Sequence, residues 1–414
     1  MSLLASKFRE KVSKLKDYKM KVETEFPVGY STGFLGFDFI NGTVVHTKVN
    51  GNPVEYYSVG ITDGSMNMII GRSGCGKTTF CTQAAANIIR PFKTSCIFHD
   101  DIEGGIIKSR TEILTGFVGE ELAKRYITRN TGITAENFYE RIKMIYDLKM
   151  ENREDYSYDT GLYDTNGDRI TKLEPTVYIL DSLALLMPEK YTEEDDLSGQ
   201  MSATAAAKTN AMLFKRVVPM LKSANIILLI INHINQKVDI NPMQRTKAQV
   251  GYLKQGETLP AGNTPIYLSN NLIRFDDHSK LKSSETFGID GTLVDISLVK
   301  SRTARAGGVA TVVYDQNRGF DPELSLFILL KEHKRVNGAG AFLYLGDRSD
   351  IKFSQKQFKE KLATNPELRA VFMQEVKDVL ASLINKHEDI YSEEVDTTST
   401  INTDILSEMN SFAI

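Results

Sequence analysis

Gly71, Arg72, Ser73, Gly74, Cys75, Gly76, Lys77 and Thr78 stand between an apolar run, 66–70, and a helical pattern that begins at Lys77. This is a complete GxxxxGK[ST] spacing, and each residue type in it has a task. Glycines let consecutive backbone N–H groups turn inward around a chain of phosphates, and the N-terminus of the following helix adds a favourable dipole. Lys77 can neutralise the β- and γ-phosphates, Thr78 can ligate Mg²⁺, and Thr79 extends the nucleotide contacts. The loop therefore predicts binding of ATP or GTP. A second carboxylate has to hold the metal through its water shell, and Asp181, which ends the apolar run 177–180, meets that need. Hydrolysis also needs an acceptor for the attacking water's proton. The segment Phe98-His99-Asp100-Asp101-Ile102-Glu103 supplies two, with Glu103 preferred for its reach and Asp101 left open.

These groups need rigid elements to hold them. Short β-rich apolar runs at 67–71, 95–99, 176–181, 226–232, 293–299 and 309–314 alternate with helical patterns at 77–90 and 203–223. That alternation predicts an α/β fold with a mainly parallel central sheet and helices on both faces. The expected organisation is an N-terminal arm at 1–29 with a short amphipathic helix at 5–19, a core at 30–320, a small α+β C-terminal domain at 321–386 and an acidic tail at 387–414. Within 321–386 the pattern reads helix, strand, helix, helix, with a Gly-rich hinge at 338–340 and Pro366 opening the last helix. Two inserts interrupt the core. Residues 43–60 alternate around Asn50-Gly51-Asn52 and predict a hairpin. Residues 150–172 carry Asp164, Asn166, Gly167 and Asp168 in the manner of a calcium loop, but the position for its bidentate Glu holds Pro175, so a hairpin turn is expected instead.

With 414 residues, 41 % of them hydrophobic, the chain can fill one large core. A net charge of −3 excludes a globally basic nucleic-acid coat, so any such affinity must come from local patches. Residues 7–21 are Lys-rich, whereas beyond Lys386 there are seven acids and no Lys or Arg, the composition of a solvated end. Cys75, Cys81 and Cys96 have neither metal-ligand spacing nor the makings of a disulfide framework. No secretory segment and no apolar run of the roughly 18 residues a span requires is seen, so a cytoplasmic protein without membrane association is expected.

Tyr30-Ser31-Thr32-Gly33-Phe34-Leu35-Gly36-Phe37-Asp38 ahead of the glycine loop, Leu180-Asp181-Ser182-Leu183-Ala184, and Ile230-Ile231-Asn232-His233 resemble the RecA family of recombinases in order and spacing. The Asn-His ending and Lys300-Ser301-Arg302 are similar to its phage UvsX branch, since bacterial RecA has Gln and Lys at the last position of each. The resemblance spans about 28–385, with Asn365-Pro366-Glu367 similar to the small C-terminal domain of bacterial RecA. It implies a RecA-like P-loop ATPase core, ATP with Mg²⁺, and a helical homo-oligomer on single-stranded DNA that exchanges strands with homologous double-stranded DNA. His233 falls where the family senses the γ-phosphate. Lys300 and Arg302 fall where two cations reach the neighbouring subunit's ATP. One departure is that the family's Asp-x-Glu is a residue longer here, at 100–103, which leaves the acid open.

The resemblance also implies two DNA loops, at about 190–202 and 234–263. The second is long and aperiodic, with Lys237, Arg245, Lys247 and Lys254, a lone aromatic Tyr252, and Gly262-Asn263 at its end. Cations for phosphates and an aromatic for bases suit single-stranded nucleic acid. The first carries Met201, placed like the family's wedge residue, and leads into a helix with Lys208 and Arg216, although Glu193, Glu194, Asp195 and Asp196 make it locally acidic. Single-strand-binding and mediator proteins are further expected partners. A ring-forming helicase motor and a RecA-like regulatory ATPase that ignores DNA are the alternatives; the first is expected to carry a larger N-terminal domain.

Overall fold

The computed structural model describes residues 27–191, 199–236, 250–281, 291–340 and 342–384. The expected helix at 5–19, most of the arm, the acidic tail, and Lys237, Arg245 and Lys247 lie outside them. Strand β1 (Gly29–Tyr30) and helix α1 (Leu35–Ile40) precede a hairpin of β2 (Thr43–Val49) and β3 (Asn52–Ser58), after which β4 (Ile61–Thr62) returns to pair with β1. The chain continues through β5 (Met66–Gly71), α2 (Lys77–Ile89), β6 (Ile97–Asp101), α3 (Lys108–Thr115), α4 (Glu120–Arg125), β7 (Tyr126–Arg129) and α5 (Ala135–Glu151). A second hairpin, β8 (Ser157–Tyr163) with β9 (Arg169–Leu173), precedes β10 (Thr176–Asp181), α6 (Gly199–Ala224) and β11 (Ile226–His233). Then come β12 (Asn235–Gln236), β13 (Glu257–Thr258), α7 (Thr264–Leu268), β14 (Asn271–Leu281), β15 (Gly291–Ser301), β16 (Val309–Asp315) and β17 (Gly319–Asp321).

Nine strands form one sheet in the order β17-β16-β15-β14-β5-β11-β10-β6-β7. The six from β14 to β7 run parallel, and β15, β16 and β17 add antiparallel pairs at one side. The fold is thus α/β around a mostly parallel sheet. Its central strands are mostly apolar because both faces are covered: β5 and β10 are buried at every residue, and the polar Asn67 inside β5 accepts a hydrogen bond from Asn271. On one face Ile69, Ile179, Ile231 and Ile273 pack against Phe80, Ala84 and Ile88 of α2. On the other, Met68, Tyr178, Leu228 and Ile230 pack against Phe138 and Ile142 of α5 and Phe214, Val217 and Leu221 of α6. Each Ile, Leu, Val, Met or Phe among them contributes roughly 1.5–3 kcal/mol of burial. Among the described residues no helix is long and apolar enough to cross a membrane.

The C-terminal block comprises α8 (Pro322–Glu332), β18 (Val336–Ala339), β19 (Phe342–Leu345), α9 (Phe358–Thr364) and α10 (Pro366–Leu383). Its own apolar cluster joins Phe327, Phe353, Phe358 and Phe372 to Phe39 and Val313 of the larger body. Pro366 does open α10, with Asn365 capping two backbone N–H groups. The glycines at 338 and 340 are not a hinge but part of a tight hairpin: β18 pairs with β19, and both glycines have positive φ. Both inserts are hairpins. The Asp164 carboxylate accepts from the N–H groups of Asn166 and Asp168, so it is used in closing a turn.

Candidate functional site

In parallel sheets the strand ends at the C-terminal edge form a natural crevice. Here Gly71 of β5 is level with His233 of β11, and Asp181 of β10 with Asp101 of β6. The glycine loop leaves this edge and enters α2. Gly74 and Gly76 have φ of +83° and +86°, and a Cβ on Gly76 would stand 2.7 Å from the Phe320 ring, so no other residue fits there without displacing the core. Cys75 turns its thiol under the loop to Arg72 O at 2.9 Å and is buried, while Arg72, Ser73 and Gly74 are exposed. Lys77 is only 4 % exposed; its ammonium donates to the carbonyls of Gly71 (3.1 Å) and Arg72 (2.7 Å), which holds a cation across the loop.

Thr78 Oγ1 donates to Asp181 Oδ2 at 2.5 Å. The other Asp181 oxygen, Oδ1, is buried with no partner. Burial, with the nearby Glu103 and Asp101 charges, pushes the Asp181 carboxyl up to about 6 despite the Thr78 bond. A hydroxyl, an orphaned carboxylate oxygen and a destabilised negative charge are the donor set a hard divalent cation satisfies, so the residues fit Mg²⁺ beside a triphosphate held on the loop.

The two candidate acids have separate surroundings. Asp101 is 2 % exposed and its carboxylate accepts the N–H groups of Gly104 (3.0 Å) and Ile106 (2.8 Å), shaping the turn that carries Glu103. Glu103 reaches over the edge, its Oε1 2.6 Å from His233 Nε2. Partial burial raises its carboxyl, but the hydrogen bond with His233 and the nearby Ser182 hydroxyl and Lys77 charge outweigh that and leave it below the ordinary carboxylate range. The other ring nitrogen, Nδ1, lies 3.5 Å from Lys77 Nζ. A line therefore runs from the glycine-loop lysine through His233 to Glu103.

His233 is also the last residue of β11 before the segment 234–263. Asn232 next to it bonds through Nδ2 to Pro260 O at 3.1 Å, tying the far end of that segment back to the strand. At its base β12 pairs with β13. Arg274 of β14, level with Ile70, grips Glu257 in a two-pronged pair at 2.7 and 2.8 Å and also holds Asp276. Glu257 and Arg274 were not singled out in the sequence; a lone Arg inside the apolar stretch Asn271-Leu272-Ile273-Arg274-Phe275 was the available signal. Of the expected DNA residues, Lys254 and Tyr252 stand exposed at this segment, Lys254 Nζ 3.5 Å from Asp276. Gly262 has φ +84° and packs on Ala207, and Asn263 immediately precedes α7. Lys208 and Arg216 share the exposed side of α6; Met201 lies within that helix, its side chain outside the described set.

Lys300 and Arg302 are not brought to this site. Leu272 pairs with both Lys300 and Met68, so Lys300 sits three residues, roughly 10 Å, short of the Gly71 edge, with Arg302 farther still. Lys300 Nζ donates to the carbonyls of Ile266, Tyr267 and Ser269, and Arg302 to Tyr267 O. Burial and then the Arg302 charge lower the Lys300 ammonium to about 8. No model of a known protein family matches the chain, and no curated protein matches it.

Proposed function

We propose that this chain is an ATP-dependent DNA strand-exchange protein of the RecA family, similar to its phage UvsX branch, acting as a helical filament on single-stranded DNA. The observation that carries the reading is the position of His233. It touches Glu103 on one side and approaches Lys77 on the other, and it immediately precedes the segment 234–263. A group that sees the γ-phosphate end of the site is thereby joined covalently to a segment supplied with cations and an aromatic for DNA.

In this reading Lys77 and the loop amides hold the triphosphate and Thr78 with Asp181 holds Mg²⁺, which when bound would offset charge on the β- and γ-oxygens. Glu103, ionised at neutral pH, accepts the proton of the attacking water. His233 orients Glu103 and shifts when that contact changes. Asn232, Glu257 and Arg274 anchor the segment that has to respond. Lys300 and Arg302, remote from their own chain's loop, complete the site of the next copy along a head-to-tail filament.

The test is hydrolysis of ATP with and without single-stranded DNA, alongside displacement of a homologous strand from a duplex. Wild-type protein should hydrolyse ATP faster with DNA and displace the strand. Lys77→Ala should fold and do neither, since its ammonium serves phosphate charge and not the core. Near-normal hydrolysis by folded Lys77→Ala would remove the glycine loop from the mechanism.

A further inference from the structure

Beside Arg302 a groove of about 420 Å³ opens between β2 and the turn after β15, lined among others by Pro27, Val44, Val45, His46, Arg302 and Thr303. Its β2 wall belongs to the first inserted hairpin, which the nucleotide site does not use. The second insert braces that hairpin. Tyr56 Oη accepts from Tyr163 N at 3.2 Å, and Asn50 N donates to Thr165 O at 3.3 Å. Gly167, at φ +85°, lets the Asn50 side chain close over the second turn, where a Cβ would stand 2.4 Å from Asn50 Nδ2. Two hairpins joined tip to tip make a stiff wall, so the groove is preformed.

At the opposite edge of the sheet, Ile107 is 64 % exposed at the N-terminus of α3. It follows the turn that Asp101 shapes and that presents Glu103. One exposed isoleucine is ordinary. Its position is what counts: if Arg302 reaches the phosphates of the next copy, the groove that shares Arg302 meets that copy's Glu103 turn and the apolar residue beside it. The chemistry also matches, with half-buried Val45 in the groove for the isoleucine and the Arg302 cation for the exposed Glu103 of the turn.

We propose that the groove takes Ile107 of the next copy of this chain, so that the inserted hairpin clamps the turn carrying that copy's Glu103 while Arg302 reaches its phosphates. The inference rests on the proposed function and adds to it a contact that neither cation makes. It makes the filament contact and the placement of Glu103 interdependent, and gives both inserts one task.

The test uses Ile107→Asp and Val45→Asp in the full chain. Ile107 is exposed and caps a helix, where Asp is favoured, so folding is not at stake in the first variant. Each should lose DNA-stimulated ATP hydrolysis by about tenfold or more through misplacement of Glu103. Mixed one to one with Lys77→Ala, Val45→Asp should recover to about a quarter of the wild-type rate, the share of head-to-tail sites that have both halves intact. Ile107→Asp should not recover with Lys77→Ala, because both damage the same half. Wild-type hydrolysis by Ile107→Asp overturns the proposal, as does loss in Val45→Asp alone, which would point to residues 1–26 of the same chain as the occupant. Arg302→Ala mixed with Lys77→Ala serves as the reference. Recovery there with an unaffected Ile107→Asp would reject the clamp and leave the shared site standing; no recovery there would reject the shared site itself.

Discussion

Glu103 and Asp101 show how two carboxylates two residues apart come to different uses. Asp101 spends both oxygens on backbone N–H groups of the turn, whereas Glu103 is half-exposed at the edge and held by His233. Glu103→Gln should therefore keep nucleotide binding and lose about 10²–10⁴ in turnover, the usual worth of a positioned base. Asp101→Asn should be milder, because an amide oxygen can still accept one of the two bonds; single-turnover hydrolysis with each variant decides the order. The reverse order would make Asp101 the base. Asp181 yields a prediction with opposite signs for stability and binding. Its folded value of about 6 lies above the ordinary 3.8, so the relative stability it contributes is full below about pH 4 and is lost as pH rises through 6. At pH 7 the buried charge costs about 3 kcal/mol, so Asp181→Asn should raise the melting temperature by several degrees at neutral pH and not at pH 4. The same variant should lose Mg²⁺-dependent nucleotide binding. In wild-type protein that binding should weaken as pH falls through 6 and be restored by more Mg²⁺, which competes with the proton.

The elements were legible where burial is two-sided. Six of the nine sheet strands announce themselves as apolar runs, and β5 and β10 end at Gly71 and Asp181 as expected. β14 was hidden because Arg274, Asp276 and Asp277 break its apolar pattern, and β7 because it is an edge strand of four residues. Lys77, Thr78, Asp181, Glu103 and His233 were readable from spacing and resemblance, since each ends or follows a strand. The Glu257–Arg274 pair was not, because it joins residues 17 apart through a fold the sequence does not display. This pair is 3 % and 6 % exposed, and removing one partner of a buried pair typically costs about 3–5 kcal/mol, less here since Asp276 remains. Glu257→Gln should thus loosen residues 253–260, read as faster amide hydrogen exchange there with α2 unchanged, and uncouple hydrolysis from DNA while ATP still binds. Unchanged exchange together with normal DNA stimulation would show that the pair does not anchor the segment.

For the whole molecule, the uneven placement of charge bears on the proposed function. The protein carries a net charge of −3, and residues 388–414 hold seven carboxylates and no Lys or Arg, so removing them leaves +4. Under the proposed function those carboxylates would compete with DNA phosphates for the cations of 237–254, an effect that would fade as the screening length shrinks to roughly 8 Å at physiological salt. Truncation at 388 should tighten DNA binding most at low salt and low Mg²⁺ and leave ATP affinity as it is. Equal affinity with and without the segment across a salt series would instead favour a docking role for Ile401, Ile405, Leu406 and Phe412. Under the proposed function, a site whose cations lie on the far side of the sheet is completed only when copies stack head to tail on DNA. Electron microscopy of the protein with single-stranded DNA and a non-hydrolysable ATP analogue tests it most directly. Continuous helical filaments that require the analogue are expected, whereas closed rings, or dispersed molecules under the same conditions, would rule out head-to-tail assembly.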